Sequence, residues 1–272
     1  MQFKTVLDTD VPEIGLGTHR LYGKECKQIV REALEIGYRH IDTAQIYKNE
    51  KEVGDAIQAS GIDREEIFLT TKVWHTNLDH DDVLTSVEES LKELRVPYID
   101  LLLIHWPNKQ YSLQQTLEAM LALRDQGKAV NIGVSNFPLS LTQTVIEDLR
   151  IPILTNQVEF HPFLEQFNLL DYSYENDFLV TAYSPLAQGK VSDNDTLKRI
   201  GAEYSKSPAQ IALRWLIEQE NVVAIPKAST TEHLIENLDI YDFELSDEHF
   251  EQIDGLDKSM RVVNPTFAPE WD

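Results

Sequence analysis

The sequence predicts an α/β fold in which strand and helix alternate, and three observations carry that expectation. Short apolar, β-branched runs recur along the whole chain. Between them lie stretches whose apolar residues follow helical spacing. The chain has 272 residues, close to the ~250 typical of a (β/α)8 (TIM) barrel. Alternation alone leaves a doubly wound parallel sheet open beside the barrel.

Residues 14–18 (IGLGT) and 39–43 (RHIDT) come first, then 67–72 (IFLTTK), 99–105 (IDLLLIH) and 129–135 (AVNIGVS). Residues 153–157 (ILTNQ), 179–184 (LVTAYS) and 222–227 (VVAIPK) complete the set. Several are apolar nearly throughout, as strands covered on both faces should be. Among the helices, Val83, Leu84, Val87, Leu91 and Leu94 share one face, with Asp79, Asp81 and Asp82 near the start where they suit the helix dipole. A helix over 138–150 opens at Pro138, and one over 207–220 opens with Ser207-Pro208, a cap followed by Pro in the first turn. Residues beyond 257 fall outside the alternation and form a tail. No linker or low-complexity block interrupts 1–272, so one domain is expected.

Composition narrows the function. With 24 basic and 46 acidic side chains the formal charge is −22. Such a chain is unsuited to sequence-blind binding of nucleic acid or anionic lipid, which needs clustered Lys and Arg. A single cysteine, Cys26, allows no intrachain disulfide and reads as an inert thiol on a helix. There is no signal pattern at the start and no run of ~20 apolar residues, so a cytoplasmic location is expected. The eight histidines are scattered and no H-E-x-x-H occurs, so no metal site is expected. GLGTHR at 15–20 has Arg20 where a dinucleotide fingerprint would have its third Gly, so no Rossmann motif is present.

Barrel chemistry sits where strands end and βα loops begin, and polar residues gather at those places here. Asp42 ends the second strand, with Tyr47 in the following loop; Lys72 ends the third and His105 the fourth. Ser135 and Asn136 end the fifth, Gln157 the sixth, Tyr183 and Ser184 the seventh, Lys227 the eighth. Singly, each has an ordinary explanation: a cap, a turn, a packed ring, a solvated charge. Together the first four make chemical sense. A free phenol has a pKa of ~10, and an ammonium beside it would lower that value and ease proton donation. Asp42 would hold Lys72 charged and in place, and His105 could bond the oxygen that Tyr47 protonates.

At these residues the sequence resembles the aldo-keto reductase family over nearly its whole length, and most of all its short bacterial members of the 2,5-diketo-D-gluconate reductase type. GYRHIDTAQIYKNEKEVGDAI at 37–57, TTKVW at 70–74, LLLIHWP at 101–107, GVSNF at 133–137, NQVEFHP at 156–162 and IPKAS at 225–229 carry the likeness, with APEWD at 268–272 adding to it. The resemblance implies a barrel that binds a nicotinamide dinucleotide, NADP(H), and reduces a small-molecule carbonyl, keto-sugars included. It implies Tyr47 as general acid, Lys72 and Asp42 tuning it, and His105 orienting the carbonyl. It assigns Ser135, Asn136 and Gln157 to the carboxamide and Tyr183 to the nicotinamide ring. Ser184, Leu186 and Gln188 would lie along the pyrophosphate, with Gly17 and Thr18 in the same groove. Lys227, Ser229, His233, Glu236 and Asn237 would meet the adenosine end. Tyr22, Trp74 and Trp106 would line an apolar substrate pocket.

One departure bears on the cofactor. NADP-using members commonly carry Arg after the last strand, and here that position falls on His233, with Ala228 replacing a hydroxyl residue. Arg is always charged and bidentate, whereas His is mostly neutral at pH 7. NAD(H) is therefore expected to be tolerated. Short loops after His105 and Tyr183 suggest an open pocket. The tail has two possible places, over the pocket mouth or strapped along the barrel's outside. A monomer is expected. Two other classes are weighed: a non-catalytic dinucleotide-binding barrel serving a partner, and a phosphate-handling isomerase. The complete set of four polar residues speaks against the first, and the single Gly189 in AYSPLAQG against the second.

Overall fold

A computed structural model describes residues 2–271; Met1 and Asp272, the last residue of APEWD, lie outside the described residues. The chain opens with a hairpin that the repeat pattern does not announce. Strand β1 (Phe3–Val6) pairs antiparallel with β2 (Thr9–Pro12). Leu7 and Asp8 both take positive φ at the turn, a conformation usually signalled by Asn-Gly, and Leu7-Asp8 carries no such signal.

Eight parallel strands follow: β3 (Leu16–Gly17), β4 (His40–Asp42), β5 (Phe68–Val73), β6 (Ile99–Ile104), β7 (Ala129–Ser135), β8 (Thr155–Glu159), β9 (Leu179–Tyr183) and β10 (Val222–Ala224). They pair in chain order. The ring closes where Gly15 N–H donates to Ala224 O (2.9 Å), Ala224 N–H to Glu13 O (2.8 Å) and Gly17 N–H to Pro226 O (3.0 Å). The fold is therefore the (β/α)8 barrel; a doubly wound sheet would reverse its strand order and stay open. Gly17 is needed at this seam, because a Cβ there would stand 2.8 Å from Ile225 O.

The outer layer consists of α1 (Gly23–Ile36), α2 (Glu50–Ser60), α3 (His80–Leu94), α4 (Leu113–Asp125), α5 (Leu139–Gln143), α6 (Phe167–Glu175), α7 (Asp195–Tyr204), α8 (Pro208–Ile217), α9 (Thr231–Leu238) and α10 (Asp247–Asp254). Helix α3 buries Val83, Val87, Leu91 and Leu94, with Asp81 and Asp82 in its first turn. Helix α8 starts at a reciprocal capping box between Ser207 and Gln210, with Pro208 in its first turn. Cys26 is buried in α1, and burial pushes its thiol up to about 12, which leaves it inert. The helix expected over 138–150 is shorter: α5 gives way to a wider π turn at Thr144–Asp148. Thr142 and Thr144 hydroxyls bond back to Pro138 O (3.0 Å) and Ser140 O (3.2 Å), a habit that loosens the helical ladder.

Alternation along each strand sends one set of side chains inward. At the N-terminal end Phe68, Leu101, Leu103, Leu154, Leu179 and Val223 form an apolar cluster with Val6 and Val11 of the hairpin, which plugs the barrel floor. At the other end the inward positions carry Asp42, Lys72, Ser135, Gln157 and Tyr183. The connection after β9 is longer than expected. Residues 184–194 separate Tyr183 from α7, and the loop folds into a tight turn with Ser184, Ala187, Gln188 and Gly189 all at positive φ. Its length was hidden because the turn is a short irregular helix with no apolar periodicity. Among the described residues no helix is long and apolar enough to cross a membrane.

Candidate active site

A cleft of about 780 Å³ opens at the C-terminal end of the strands. Its lining includes Asp42, Tyr47, His105, Asn136, Gln157 and Tyr183. The register explains the convergence. Asp42 pairs with Thr70 on β5, and Lys72 is the next inward residue on that strand. Lys72 itself pairs with Leu103 on β6, and His105 is the next inward residue there. Ser135 pairs with Gln157, and Glu159 with Tyr183.

Lys72 is fully buried beneath the cleft. Its ammonium donates to Asp42 Oδ1, and to Thr43 O at 2.9 Å. Gln157 Nε2 donates to the other carboxylate oxygen, Asp42 Oδ2, at 2.9 Å. Lys72 Nζ lies 5.2 Å from the centre of the Tyr47 ring. His105 stands edge-on to Tyr47 with centroids 5.5 Å apart.

The electrostatics correct one expectation. The Tyr47 phenol is pushed well above its ordinary value, chiefly by burial and then by the Asp42 carboxylate and Tyr183. An ammonium alone would pull it down; here Lys72 is paired with Asp42, so its field at the phenol is largely cancelled. Burial also pulls Lys72 down, and the Asp42 charge opposes that. His105 is held well below its ordinary value by burial and by the Lys72 charge, so it is a neutral imidazole.

The remaining residues named from sequence fall into three groups. Asn136 adopts positive φ and ties three elements together: its Nδ2 donates to His105 O (2.9 Å) and Ser135 Oγ (3.0 Å), and its Oδ1 accepts from the Tyr183 hydroxyl (2.7 Å). Ser135 lies just beneath the cleft surface, its hydroxyl donating to Gln157 O at 2.8 Å. Gly17, Ser184, Leu186, Gln188 and Lys227 line the cleft, as do Tyr22, Trp74 and Trp106. Thr18 is buried behind it, donating through Oγ1 to Asp42 O (2.9 Å). Ser229, His233, Glu236 and Asn237 lie beyond the lining, on α9 and the turn before it. Ser229 and His233 are exposed, Glu236 is half-buried and Asn237 is buried.

Two contributors escaped the sequence reading. His19 lines the cleft with its ring 5.0 Å from that of Tyr47, and burial and Arg20 lower its basicity. Asn49, just before α2, looks like a helix cap but makes no capping bond. Instead its Oδ1 accepts from Thr43 Oγ1 (2.7 Å), and its Nδ2 donates to Thr18 O and Leu21 O (3.0 Å each), binding the first two loops together. The tail takes the first of the two places expected for it. Val262, Val263, Asn264 and Pro265 line the cleft, so the tail lies over the mouth and not along the barrel's outside. Among the described residues no cluster of His, Cys, Asp and Glu is arranged to hold a metal ion.

Fold and site together define a (β/α)8 barrel with a cleft lined by polar side chains from the ends of several strands. The chain belongs to the aldo/keto reductase family, whose model matches residues 13–258. It is 44% identical to the glyoxal reductase of Bacillus subtilis (strain 168) over 254 residues, 93% of this chain and 91% of that one. It is 40% identical to the methylglyoxal reductase DkgB of Escherichia coli O157:H7, over 96% of this chain and 99% of that one. A crystal structure assigned provisionally as a 2,5-diketo-D-gluconic acid reductase B superposes with a TM-score of 0.97 at 42% identity, covering 100% of this chain and 98% of that one. The protein is thus an oxidoreductase of carbonyl reduction.

Proposed function

We propose that this chain, acting as one monomeric domain in the cytoplasm, reduces small aldehydes and ketones with NADPH and accepts NADH in its place. The observation that carries the reading is the convergence of Tyr47, Lys72, Asp42 and His105 at a cleft of about 780 Å³ that Tyr183, Ser184, Gln188 and Lys227 also line. Relatives named for glyoxal and methylglyoxal support a small carbonyl as substrate.

The residues present suit a nicotinamide dinucleotide. Tyr183 offers a ring held by Asn136 (2.7 Å), beside the amide groups of Asn136 and Gln157. The turn of 184–189, strained at Ser184, Ala187 and Gln188, lays Ser184, Leu186 and Gln188 along the cleft toward Lys227. Such strain is held in place where the chain needs a particular backbone surface for a ligand. When bound, the cofactor supplies the hydride, and the protein supplies placement and electrostatics.

Tyr47 gives its proton to the carbonyl oxygen as negative charge develops there. At neutral pH the phenol is protonated and so can donate to that oxygen. Neutral His105 bonds the same oxygen and orients it. The Lys72–Asp42 pair, braced by Gln157, supports Tyr47 from beneath. Ser135, Asn136 and Gln157 hold the carboxamide, Gly17 and Thr18 shape the groove, and Ser229, His233, Glu236 and Asn237 serve the adenosine end. Tyr22, Trp74 and Trp106 give the carbonyl pocket its apolar walls.

The test is oxidation of NADPH and of NADH with methylglyoxal. Turnover with both is expected, with a ratio of kcat/KM below ~10³, a difference of ~4 kcal/mol. A larger ratio would overturn the dual use of cofactors, and no turnover with any small carbonyl would overturn the function itself.

A further inference from the structure

One wall of the cleft comes from the C-terminal segment, and a buried carboxylate outside the proposed catalytic set holds it. The segment is laid against the loop after β8. Lys258 Nζ donates to Pro162 O (2.9 Å), and Met260 N–H donates to Phe163 O (2.9 Å). Glu159, at the end of β8, makes the next link. Its Oε1 accepts from Val262 N–H at 2.6 Å, and its Oε2 accepts from Val263 N–H at 2.8 Å.

A third donor completes the set. His161 Nδ1 accepts from Phe163 N–H (3.2 Å), so in the neutral ring the proton resides on Nε2, which donates to Glu159 Oε1 at 3.0 Å. Glu159 and His161 are both wholly buried. A buried carboxylate is a costly way to fill space, and apolar residues of similar volume usually serve a core as well. Here its charge strengthens two amide bonds to the chain that carries the pocket wall.

Beyond this anchor the segment reaches the substrate end. Phe267 stacks on His75, with centroids 4.3 Å apart and planes 15° apart, and stands edge-on to Trp74 and Trp106. Arg261 lies over the Trp271 ring at 3.8 Å, and Trp271 Nε1 donates to Asn264 Oδ1 at 3.1 Å. Glu159 is also the register partner of Tyr183. The anchor of the wall and the ring at the cofactor end therefore share one rung of the sheet.

We infer that Glu159 is a positioning residue: through the Val262 and Val263 amides it fixes the C-terminal segment as the wall of the carbonyl pocket, at a set distance from Tyr183. This rests on the proposed reading of the cleft as a carbonyl and dinucleotide site. Glu159→Gln in the full chain is the informative variant. It keeps the shape, but its amide nitrogen cannot accept, so one of the two tail amides loses its partner.

Two readouts decide the matter. Hydrogen exchange at the Val262 and Val263 amides should speed up about tenfold or more, while strands β5 to β7 keep their protection. The KM for phenylglyoxal, whose ring is bulkier than the methyl group of methylglyoxal and so more sensitive to the wall, should rise roughly fivefold or more, with the kcat for methylglyoxal and the Kd for NADPH within about twofold of the parent. Phe267→Ala should raise the phenylglyoxal KM while leaving the two amides protected, and the double variant should show less than the combined effect of both changes. Unchanged exchange at 262–263, an equal loss for both carbonyls and NADPH, or lost protection throughout the strands would each overturn the inference. A parent chain that turns over neither carbonyl would defeat the proposed function, and the exchange data would still decide the role of Glu159.

Discussion

The floor and the ceiling of this barrel come from the same strands and have opposite chemistry. At the floor, Phe68, Leu101, Leu154, Leu179 and Val223 meet the hairpin residues Val6 and Val11 with no charge among them. Four residues beyond Phe68 and Leu179, on the same inward faces, stand Lys72 and Tyr183, with Gln157 on β8. Burying Lys72 and Asp42 costs desolvation that their attraction repays only with good geometry. The apolar floor offsets that cost, at about 25 cal/mol for each Å² removed from water. The division separates stability from chemistry along one axis.

The first way to break this contrast is at the ceiling. Tyr47→Phe keeps the ring and removes the transferable proton. Turnover of methylglyoxal should fall by ~10³-fold or more, with NADPH affinity and unfolding midpoint close to the parent. Near-normal turnover would remove Tyr47 from the role of acid. At the floor the opposite pattern is expected. Leu101→Ala should cost roughly 3–4 kcal/mol of stability by denaturant unfolding, with kcat nearly unchanged. A fall in kcat with little loss of stability would show that the two ends are not separable.

His40 lies between the two and sharpens the comparison. Its ring is buried against Phe68, bonded to Thr70 Oγ1 at 3.3 Å, and tight enough on Gly15 to leave no room for a Cβ there. Burial lowers its pKa to about 4, against 6.5 in an unstructured chain. The folded state therefore takes up fewer protons than the unfolded state between those values. Stability is full above pH 6.5 and falls as the pH drops toward about 4, by about 3 kcal/mol in all. His40→Gln should flatten this part of the profile of unfolding free energy against pH, and an unaltered slope would place the proton uptake elsewhere.

Much of the site was legible before folding because strand ends are legible. Asp42, Lys72, His105, Asn136 and Gln157 each follow a short apolar run, and a barrel leaves few other places for such residues to go. The rest lacked a local signal. Asn49 reads as a cap and acts as a tie between loops. The hairpin turn Leu7-Asp8 has Asp8 but lacks the glycine or asparagine that would mark it. The long connection after Tyr183 has no periodicity to measure.

The sequence by itself determined the alternation of strands and helices, and with it the inward and outward faces, because periods of two and 3.6 are written into local sterics. It also determined which side chains could do acid–base work. Only the tertiary structure decided that the ring of strands closes at Gly15 and Gly17, that Glu159 holds the tail over the cleft, and that Tyr47 is raised and not lowered in pKa. Those outcomes depend on contacts between residues far apart in the chain. The field at a phenol depends on what its neighbours are already paired with, and that pairing exists only once the barrel has formed.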